Sequence, residues 1–260
     1  MTSDLSGRTT IVVGASRGLG RRIARAFADA GAPVVAVARN GPALAELATT
    51  SANIRTEVAD AADAAVAWSL VDRYQPEVLI LVAAGGPVMH PLQHQTWETF
   101  SVNWNADVKI TFAWLREALL RPLAAGSRVV VLGGWVGVAG SPASGGFAGS
   151  MATQGFIARY AQDESRRAGL DITVTTVTPK MTPLGDVGRR GVRAYAARGG
   201  QTEEAFLKEL GEPLTPEIAG SALVSLIRAD PATASPEYVG QRPRRAVAPG
   251  TRGCSGCSHR

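Results

Sequence analysis

Short runs of β-branched and aliphatic residues alternate along the chain with longer segments whose apolar residues recur at helical spacing. Thr10–Val13 and Val34–Ala38 are runs of the first kind, and Arg21–Ala30, closed by Gly31, is a segment of the second. Apolar runs of four to six residues predict buried strands, whereas apolar positions three and four residues apart predict a helix packed on one side. The alternation therefore predicts an α/β fold.

Strand–helix–strand units of this kind predict one doubly wound parallel sheet with helices on both faces, because the crossover helices join parallel strands. Strands are expected at Thr10–Val13, Val34–Ala38, Ile54–Val58, Val78–Val82, Arg128–Leu132 and Ile172–Val177, with a candidate last strand at Tyr238–Val239. The longest helices are expected at Asn105–Leu120 and Ser150–Ala168. A chain of 260 residues with 45% hydrophobic content can bury one sizeable core. We expect one domain over residues 1–240 and a basic, disordered tail over 241–260.

A glycine-rich turn, Gly14-Ala15-Ser16-Arg17-Gly18-Leu19-Gly20, joins the first strand to the first helix. Strand, glycine turn, helix and second strand in this order predict a dinucleotide site, because glycine lets the backbone approach a pyrophosphate at a helix N-terminus. The second strand is followed by Arg39 rather than by an acidic residue that would accept a ribose 2′-hydroxyl. Together with Arg17, it favours a 2′-phosphate and hence NADP(H) over NAD(H). The alternative is that both arginines are solvated loop residues.

From about Gly7 to about Val239 the sequence resembles the short-chain dehydrogenase/reductase family. Asp60 after the third strand, Ala84-Gly85 after the fourth, Asn103 in the next helix and Pro179 all fall in the register of that family. The resemblance implies a Rossmann-type fold in which Asp60 contacts the adenine. It further implies a cofactor site formed by Gly14, Ser16, Arg17, Gly18, Leu19, Gly20, Arg39, Asp60, Ala84, Gly85, Pro179 and Thr182.

The catalytic positions implied by the resemblance are largely substituted. Members of the family generally use Asn, Ser, Tyr and Lys, and only Asn103 remains. Gly134 (or Gly133) stands at the serine, Phe147 at the tyrosine and Met151 at the lysine. The phenol transfers a proton, the ammonium lowers its pKa, and the serine binds the carbonyl oxygen, so none of the three replacements can act in these ways. The ordinary hydride chemistry is predicted to be lost.

Two further groups of residues near the site carry predictions. His90 and His94, in the loop after the fourth strand, could take over proton transfer; the alternative is two surface histidines. Asp107 and Lys109 are expected to be a solvated pair on a helix.

The resemblance implies a lid over the substrate site at Thr182–Leu210, and its glycines predict a mobile segment. Trp135 and Met89, with the substituted catalytic positions, predict an apolar, aromatic pocket for a hydrophobic small molecule. The alternative is that these side chains fill the pocket themselves. The two longest helices are implied to form the interface of a homodimer or homotetramer.

The net charge of +5 is confined to one end of the chain. The last twenty residues hold five of the 27 basic residues and none of the 22 acidic ones, so the rest is balanced and no nucleic-acid partner is expected. Cys254 and Cys257 have CxxC spacing but no second pair, so no metal site is expected. With no signal peptide and no bilayer-spanning apolar run, we expect a cytoplasmic protein without membrane contact.

Three functional hypotheses from different classes remain open. The preferred one is a non-redox enzyme of the cyclase, isomerase or dehydratase type, acting on an apolar aromatic or polyketide-like molecule in secondary metabolism. The second is an NADPH-dependent ketoreductase in which Asn103 and water supply the proton. The third is a pseudoenzyme that binds NADP or a partner subunit. The fold alone does not distinguish them.

Overall fold

A single parallel sheet organises the chain. The structure is a computed structural model and describes residues 5–82, 85–183, 185–211 and 214–231, together with the backbone of 237 and 238. Its strands are β1 Thr10–Val13, β2 Val34–Ala38, β3 Ile54–Val58, β4 Val78–Leu81, β5 Arg128–Leu132, β6 Thr173–Val177 and β7 Glu237–Tyr238. They lie in the order β3-β2-β1-β4-β5-β6-β7, with every neighbouring pair parallel. The predicted doubly wound α/β fold is confirmed.

Helices connect successive strands. In the described residues they are α1 Gly18–Asp29, α2 Gly41–Ala48, α3 Ala64–Tyr74, α4 Trp97–Asn103, α5 Lys109–Leu120, α6 Val136–Ala139, α7 Gly145–Arg167, α8 Asp186–Arg198, α9 Glu203–Leu210 and α10 Pro216–Arg228. A 3₁₀ turn at Leu92–His94 precedes α4, and a π-helical turn at Trp104–Val108 joins α4 to α5. No helix in the described part of the chain is both long and apolar enough to cross a bilayer.

The central strands β1, β2, β4 and β5 are buried on both faces, which is why they are nearly continuous apolar runs. Successive side chains of a strand point to opposite faces, so Val12 packs with Phe27 of α1 while Ile11 packs with Trp114 of α5. The indole N–H of Trp114 donates a 3.0 Å hydrogen bond to the carbonyl of Ala61, which satisfies the polar atom of this fully buried side chain. Two helical layers therefore hold the sheet rigidly between them.

The strand order reverses between β1 and β4. Chain connections leave the sheet in opposite directions there, and a crevice opens at the carboxyl ends of these strands. The glycine turn after β1 and Gly85 after β4 are therefore brought to the same edge of the sheet.

Two helices differ in extent from the sequence prediction. The segment predicted as a helix from Asn105 belongs to a longer helical stretch that starts at Trp97. Helix α7 begins at Gly145 rather than Ser150, because its early glycines serve packing: a Cβ atom at Gly146 would overlap the backbone carbonyl of Phe100 on α4. Glycines in a sequence indicate a loop, but here they allow two helices to approach closely.

Parts of the sequence prediction fall outside the described residues. They include Val239 of the candidate last strand and the tail over 241–260 with Cys254 and Cys257. The domain boundary near residue 240 stays a prediction.

Candidate functional site

A large cleft occupies the carboxyl edge of the sheet. Its volume is about 1770 Å³, and it extends from the glycine turn and the ends of β2 and β3 to helices α8 and α9. Typical small-molecule pockets measure about 300–1,000 Å³. The cleft therefore has room for a dinucleotide and a second molecule beside it.

The glycine turn has the geometry of a phosphate-binding loop. Gly14 and Gly18 have φ angles of 87° and 53°, in the left-handed region that glycine tolerates. A Cβ atom at Gly20 would overlap the carbonyl of Gly14, so only glycine lets α1 start this close to β1. Arg17 stands at the N-cap of α1 and makes no side-chain cap, which leaves the first N–H groups of the helix available to an anion. Ser16 and Leu19 also line the cleft.

Three side chains lie at the end of the cleft where β2 and β3 terminate. Arg39 is exposed and makes no ion pair with another described residue. Arg17 forms an ion pair of 3.7 Å with Asp186 of α8, but both side chains are more than half exposed, so the pair is weak. Asp60 accepts a 3.0 Å hydrogen bond from the N–H of Ala62, which holds its carboxylate beside the cleft. A phosphate bound here would lie close to the guanidinium groups of Arg39 and Arg17.

The other cofactor positions predicted from the sequence are close to the same cleft. Gly85, Pro179 and Thr182 line it, whereas Ala84 lies outside the described residues. The carbonyl of Pro179 accepts a 3.1 Å hydrogen bond from the N–H of Trp135, and this bond fixes the loop after β5 against the loop after β6.

The three positions that the resemblance implies to be substituted catalytic residues are adjacent in space. A Cβ atom at Gly134 would lie 3.8 Å from both Cγ and Sδ of Met151. Met151 is only 4% exposed, and its sulfur accepts a 3.7 Å hydrogen bond from the side-chain amide of Gln154. Phe147, one turn earlier on α7, also lines the cleft. A buried thioether and an aromatic ring thus occupy the region where the sequence resemblance implies an ammonium and a phenol.

A buried carboxylate lies where none was expected. Asp107 is 1% exposed, and its two oxygens accept hydrogen bonds from the N–H of Gly85 (2.8 Å) and from the side-chain amide of Asn103 (3.0 Å). Burial raises the pKa of Asp107 to about 6, although the hydrogen bonds from Gly85 and Asn103 act in the opposite direction. Asp107 is among the residues that line the cleft. The sequence prediction of a solvated Asp107–Lys109 pair is therefore wrong for Asp107, while Lys109 is exposed.

A signal for this burial exists in the sequence. Asp107 lies three and seven residues before Ile110 and Trp114, which are both buried, so helical spacing puts all three on one face. The π-helical turn that carries Asp107 is a rare feature often found at functional sites.

Asn103, which the resemblance implies to be the retained catalytic position, is not among the residues that line the cleft. Its side-chain N–H groups donate to the carbonyl of Gly85 at 3.3 Å and to Asp107, and it is 1% exposed. From the same helical stretch the polar residues Asn105 and Asp107 are among those that line the cleft. This arrangement weakens the hypothesis in which Asn103 and water supply a proton.

The histidines are not brought to the cleft. His90 and His94 are exposed and are absent from its lining, whereas Met89, directly before His90, belongs to it. Trp135 lines the cleft on the side of the substituted positions. Of the residues predicted to contact a substrate, the apolar ones, Trp135 and Met89, therefore line the cleft, whereas the two histidines do not.

The lid predicted at Thr182–Leu210 consists mainly of helices α8 and α9. Two of its glycines lie inside α8, where a Cβ atom at Gly188 would overlap the carbonyl of Thr182 and one at Gly191 would lie 3.1 Å from the methyl carbon of Met181. Gly188 and Gly191 permit close packing of α8 against the loop that follows β6, and the mobility of the segment stays a prediction.

Strand order, glycine turn and cleft together define the α/β class whose members bind dinucleotides at this edge of the sheet. A sequence model of the family described as short chain dehydrogenase matches residues 8–190. The chain therefore belongs to the short-chain dehydrogenase family.

Characterised relatives are oxidoreductases by name. The chain is 25% identical to oxidoreductase asL5 of Sarocladium schorii over 217 residues, which cover 80% of this chain and 85% of the relative. It is 28% identical over 224 residues to the short chain dehydrogenase/reductase dpchG of Colletotrichum higginsianum, covering 79% and 75% of the two chains. It is 30% identical to L-xylulose reductase of Mesocricetus auratus over 109 residues, which cover 42% of this chain and 45% of that reductase.

Proposed function

We propose that this protein is an NADP(H)-binding enzyme of the short-chain dehydrogenase fold that converts an apolar, oxygen-bearing small molecule without net hydride transfer. The reaction would be of the cyclase, isomerase or dehydratase type, on an aromatic or polyketide-like substrate of secondary metabolism. The observation that carries the proposal is the buried Met151 thioether beside Gly134, in a cleft that otherwise fits a dinucleotide and a second ligand.

The glycine turn fits the cofactor. The close approach of Gly20 to Gly14 and the uncapped N-terminus of α1 would hold the pyrophosphate, and Arg17 and Arg39 would hold a 2′-phosphate. Asp60 would contact the adenine, while Gly85, Pro179 and Thr182 would line the remainder of the cofactor. When bound, the reduced nicotinamide is a hydride donor.

The residues around Met151 argue against efficient use of that hydride. Reduction of a carbonyl requires a proton donor at the oxygen, and general acid catalysis contributes roughly 10²–10⁴-fold. Phe147 has no hydroxyl group, and Met151 has no charge with which to lower the pKa of a neighbouring acid. Such a site would hold a substrate in a fixed shape more effectively than it would reduce it.

An atypical ketoreductase is the second candidate. It is favoured by the relatives that are named oxidoreductase and reductase, and by the carboxyl of Asp107, whose raised pKa of about 6 allows a protonated fraction near neutral pH. In this alternative Asp107, rather than Asn103, would be the acid available at the cleft.

One incubation separates these functions. The protein is mixed with NADPH and a panel of polyketide ketones, and the absorbance of the nicotinamide is followed together with the masses of the products. Conversion that preserves substrate mass or removes water, without cofactor oxidation, supports the proposal. Stoichiometric NADPH oxidation with a mass gain of two hydrogens supports the ketoreductase, and cofactor binding without conversion supports the pseudoenzyme.

We also propose that the protein is a homodimer or homotetramer built through α5 and α7. Each of these helices carries large exposed apolar side chains: Phe112 and Leu120 on α5, Phe156 and Tyr160 on α7. Exposed apolar side chains on two helices that pack against each other are characteristic of an interaction surface.

A further inference from the structure

An ion pair joins the glycine turn to the lid. Asp186 is the first residue of α8, and Arg17 is the residue directly before α1. The Oδ2 atom of Asp186 lies 3.7 Å from the Nη1 atom of Arg17, and both residues line the cleft. The contact therefore places an acidic side chain of the lid beside a cation that the proposed function assigns to the cofactor.

Asp186 and a cofactor phosphate have the same kind of group to offer Arg17. A carboxylate and a phosphate monoester are both oxyanions, and a guanidinium group binds either one through charge-assisted hydrogen bonds. Among the described residues, Asp186 is the one ion-pair partner of Arg17. Two oxyanions at one guanidinium repel each other, so the carboxylate of Asp186 and the 2′-phosphate of NADP(H) compete for Arg17.

The balance of this competition favours the phosphate. The side chains of Arg17 and Asp186 are 65% and 55% exposed, and ion pairs with this exposure are weak. A phosphate monoester carries roughly 1.5 to 2 negative charges near neutral pH, against one on the carboxylate. Arg39, at the same end of the cleft, would contact the phosphate as well.

Asp186 keeps a second partner when it leaves Arg17. Its Oδ1 atom accepts a hydrogen bond of 2.5 Å from the Nη2 atom of Arg189, three residues later in α8. This contact lies within one helix and does not depend on Arg17. Displacement therefore leaves the carboxylate paired, which lowers the cost of the exchange.

The exchange does not require the lid helix to move as a whole. Further along α8, the hydroxyl of Tyr195 lies 2.5 Å from that of Ser141 and 3.3 Å from that of Ser144, at the start of α7. These contacts anchor α8 independently of the glycine turn. Rotation of the Asp186 side chain is enough to free Arg17.

We propose that Asp186 is a competitor built into the 2′-phosphate site, whose carboxylate pairs with Arg17 until the 2′-phosphate of NADP(H) displaces it onto Arg189. The inference rests on the proposed NADP(H)-binding function. Binding of NADP(H) must break the Asp186–Arg17 pair, whereas binding of NAD(H), which has no 2′-phosphate, need not. Asp186 thus lowers the affinity for NADP(H) and narrows the preference over NAD(H).

Calorimetric titration of NADP⁺ and of NAD⁺ into the full chain tests the competition. Asp186→Asn removes the charge and keeps the shape of the side chain. It should bind NADP⁺ about two- to fivefold more tightly than the wild type, the gain that corresponds to release from an exposed ion pair. Its affinity for NAD⁺ should be unchanged. The gain for NADP⁺ should shrink as NaCl rises from about 0.05 M to about 0.5 M, because salt screens exposed charges.

Three further variants separate the contact from the charge. Glu209→Gln removes a negative charge from another residue that lines the cleft and should leave both affinities unchanged. Asp186→Glu keeps the charge and should show no gain. In an Arg17→Gln background, Asp186→Asn should have no effect on the affinity for NADP⁺, because the cation for which the two oxyanions compete is absent.

A structure of the NADP⁺ complex gives a second readout that needs no variant. We expect the 2′-phosphate at Arg17 and Asp186 paired with Arg189 alone. An Asp186–Arg17 pair that persists in the complex, or an equal gain of Asp186→Asn for NAD⁺, overturns the inference. If the wild type does not bind NADP⁺, the proposed cofactor assignment fails together with the inference; if the wild type and Asp186→Asn bind NADP⁺ equally, only the inference fails.

Discussion

The Oδ2 atom of Asp107 accepts a hydrogen bond of 3.0 Å from the side-chain amide of Asn103, four residues earlier in the same helical stretch. Its Oδ1 atom accepts from the N–H of Gly85, in the first part of the loop after β4. The carboxylate thus ties the helix to the carboxyl edge of the sheet. Although both of its oxygens are hydrogen-bonded, burial keeps the pKa of Asp107 above its ordinary value.

The Asp107→Asn variant should change stability in a pH-dependent way. The native pKa of about 6 exceeds the unfolded value of 3.8, so the contribution of Asp107 to stability is fully present below pH 3.8 and is lost as the pH rises through 6. Ionisation of Asp107 therefore lowers the free energy of unfolding of the wild type by about 3 kcal/mol above pH 6. The variant carries no ionisable group at this position and does not lose this stability. The free energy of unfolding is measured with urea at pH 4, 6 and 8. We expect the value of the variant minus that of the wild type to rise with pH. Asp163→Asn on α7 is the exposed control, and an equal difference at pH 4 and pH 8 for Asp107→Asn would contradict the prediction.

Arg39→Asp should reverse the cofactor preference from NADP(H) to NAD(H). Arg39 is exposed at the end of β2 and lines the cleft, so it is available to a 2′-phosphate, whereas an aspartate there would repel the phosphate and accept ribose hydroxyls. Calorimetric titration of both cofactors measures the change. Arg166→Asp, an exposed residue that does not line the cleft, is the charge-matched control. Equal affinities of the wild type for the two cofactors would refute the assignment.

The combined variant Gly134→Ser, Phe147→Tyr and Met151→Lys should reduce ketones with NADPH at a measurable rate. A side chain at Gly134 meets only ordinary contacts at 3.8 Å, so the serine fits once Met151 is replaced. Restoring the acid together with its activator should raise the rate about 10²–10⁴-fold above the wild type. Phe147→Tyr alone, which lacks the neighbouring ammonium, should change little. A variant that folds, binds NADPH and reduces nothing in the ketone panel would show that the positions are misassigned.

Trp135→Ala should weaken binding of an aromatic ligand without weakening binding of NADP(H). Trp135 lines the substrate side of the cleft, while the cofactor contacts are expected mainly around the glycine turn. Burial of an aromatic ring removes roughly 150–250 Å² from water, so we expect about a tenfold or greater loss of ligand affinity. Hydrogen exchange should also show slower exchange in α8 and α9 when ligand is added to the wild type. Unchanged ligand affinity in the variant would favour the pseudoenzyme instead.

Phe112→Glu combined with Phe156→Glu should dissociate the oligomer. The two side chains are 56% and 61% exposed on α5 and α7, and a charge at each would have to be buried in any interface between these helices. Size-exclusion chromatography with light scattering gives the mass directly. Trp68→Glu, on α3, removes a comparably exposed apolar side chain outside these helices and should leave the mass unchanged. A wild-type protein that is already monomeric would refute the proposal.

The sequence by itself determined the sheet. Strands β1, β2, β3 and β5 have the predicted bounds. In β1, β2 and β5 the reason is that four or five consecutive residues buried on both faces leave a nearly continuous apolar run, whereas the edge strand β3 is only partly buried. The glycine turn was equally readable, since its spacing follows from the backbone geometry that a strand–helix junction requires.

Only the tertiary structure decided which polar groups reach the cleft. The Asn103–Asp107 contact has the spacing of a regular helix, but the burial of Asp107 against Gly85 depends on how this helical stretch packs on the carboxyl edge of the sheet. Ser141 and Tyr195 are separated by 54 positions, and no local pattern predicts that packing of α8 against the start of α7 brings their hydroxyls together. Local chemistry fixes each strand and turn, whereas the burial of a carboxylate or the meeting of two hydroxyls depends on long-range packing, which acts between segments that are remote in sequence.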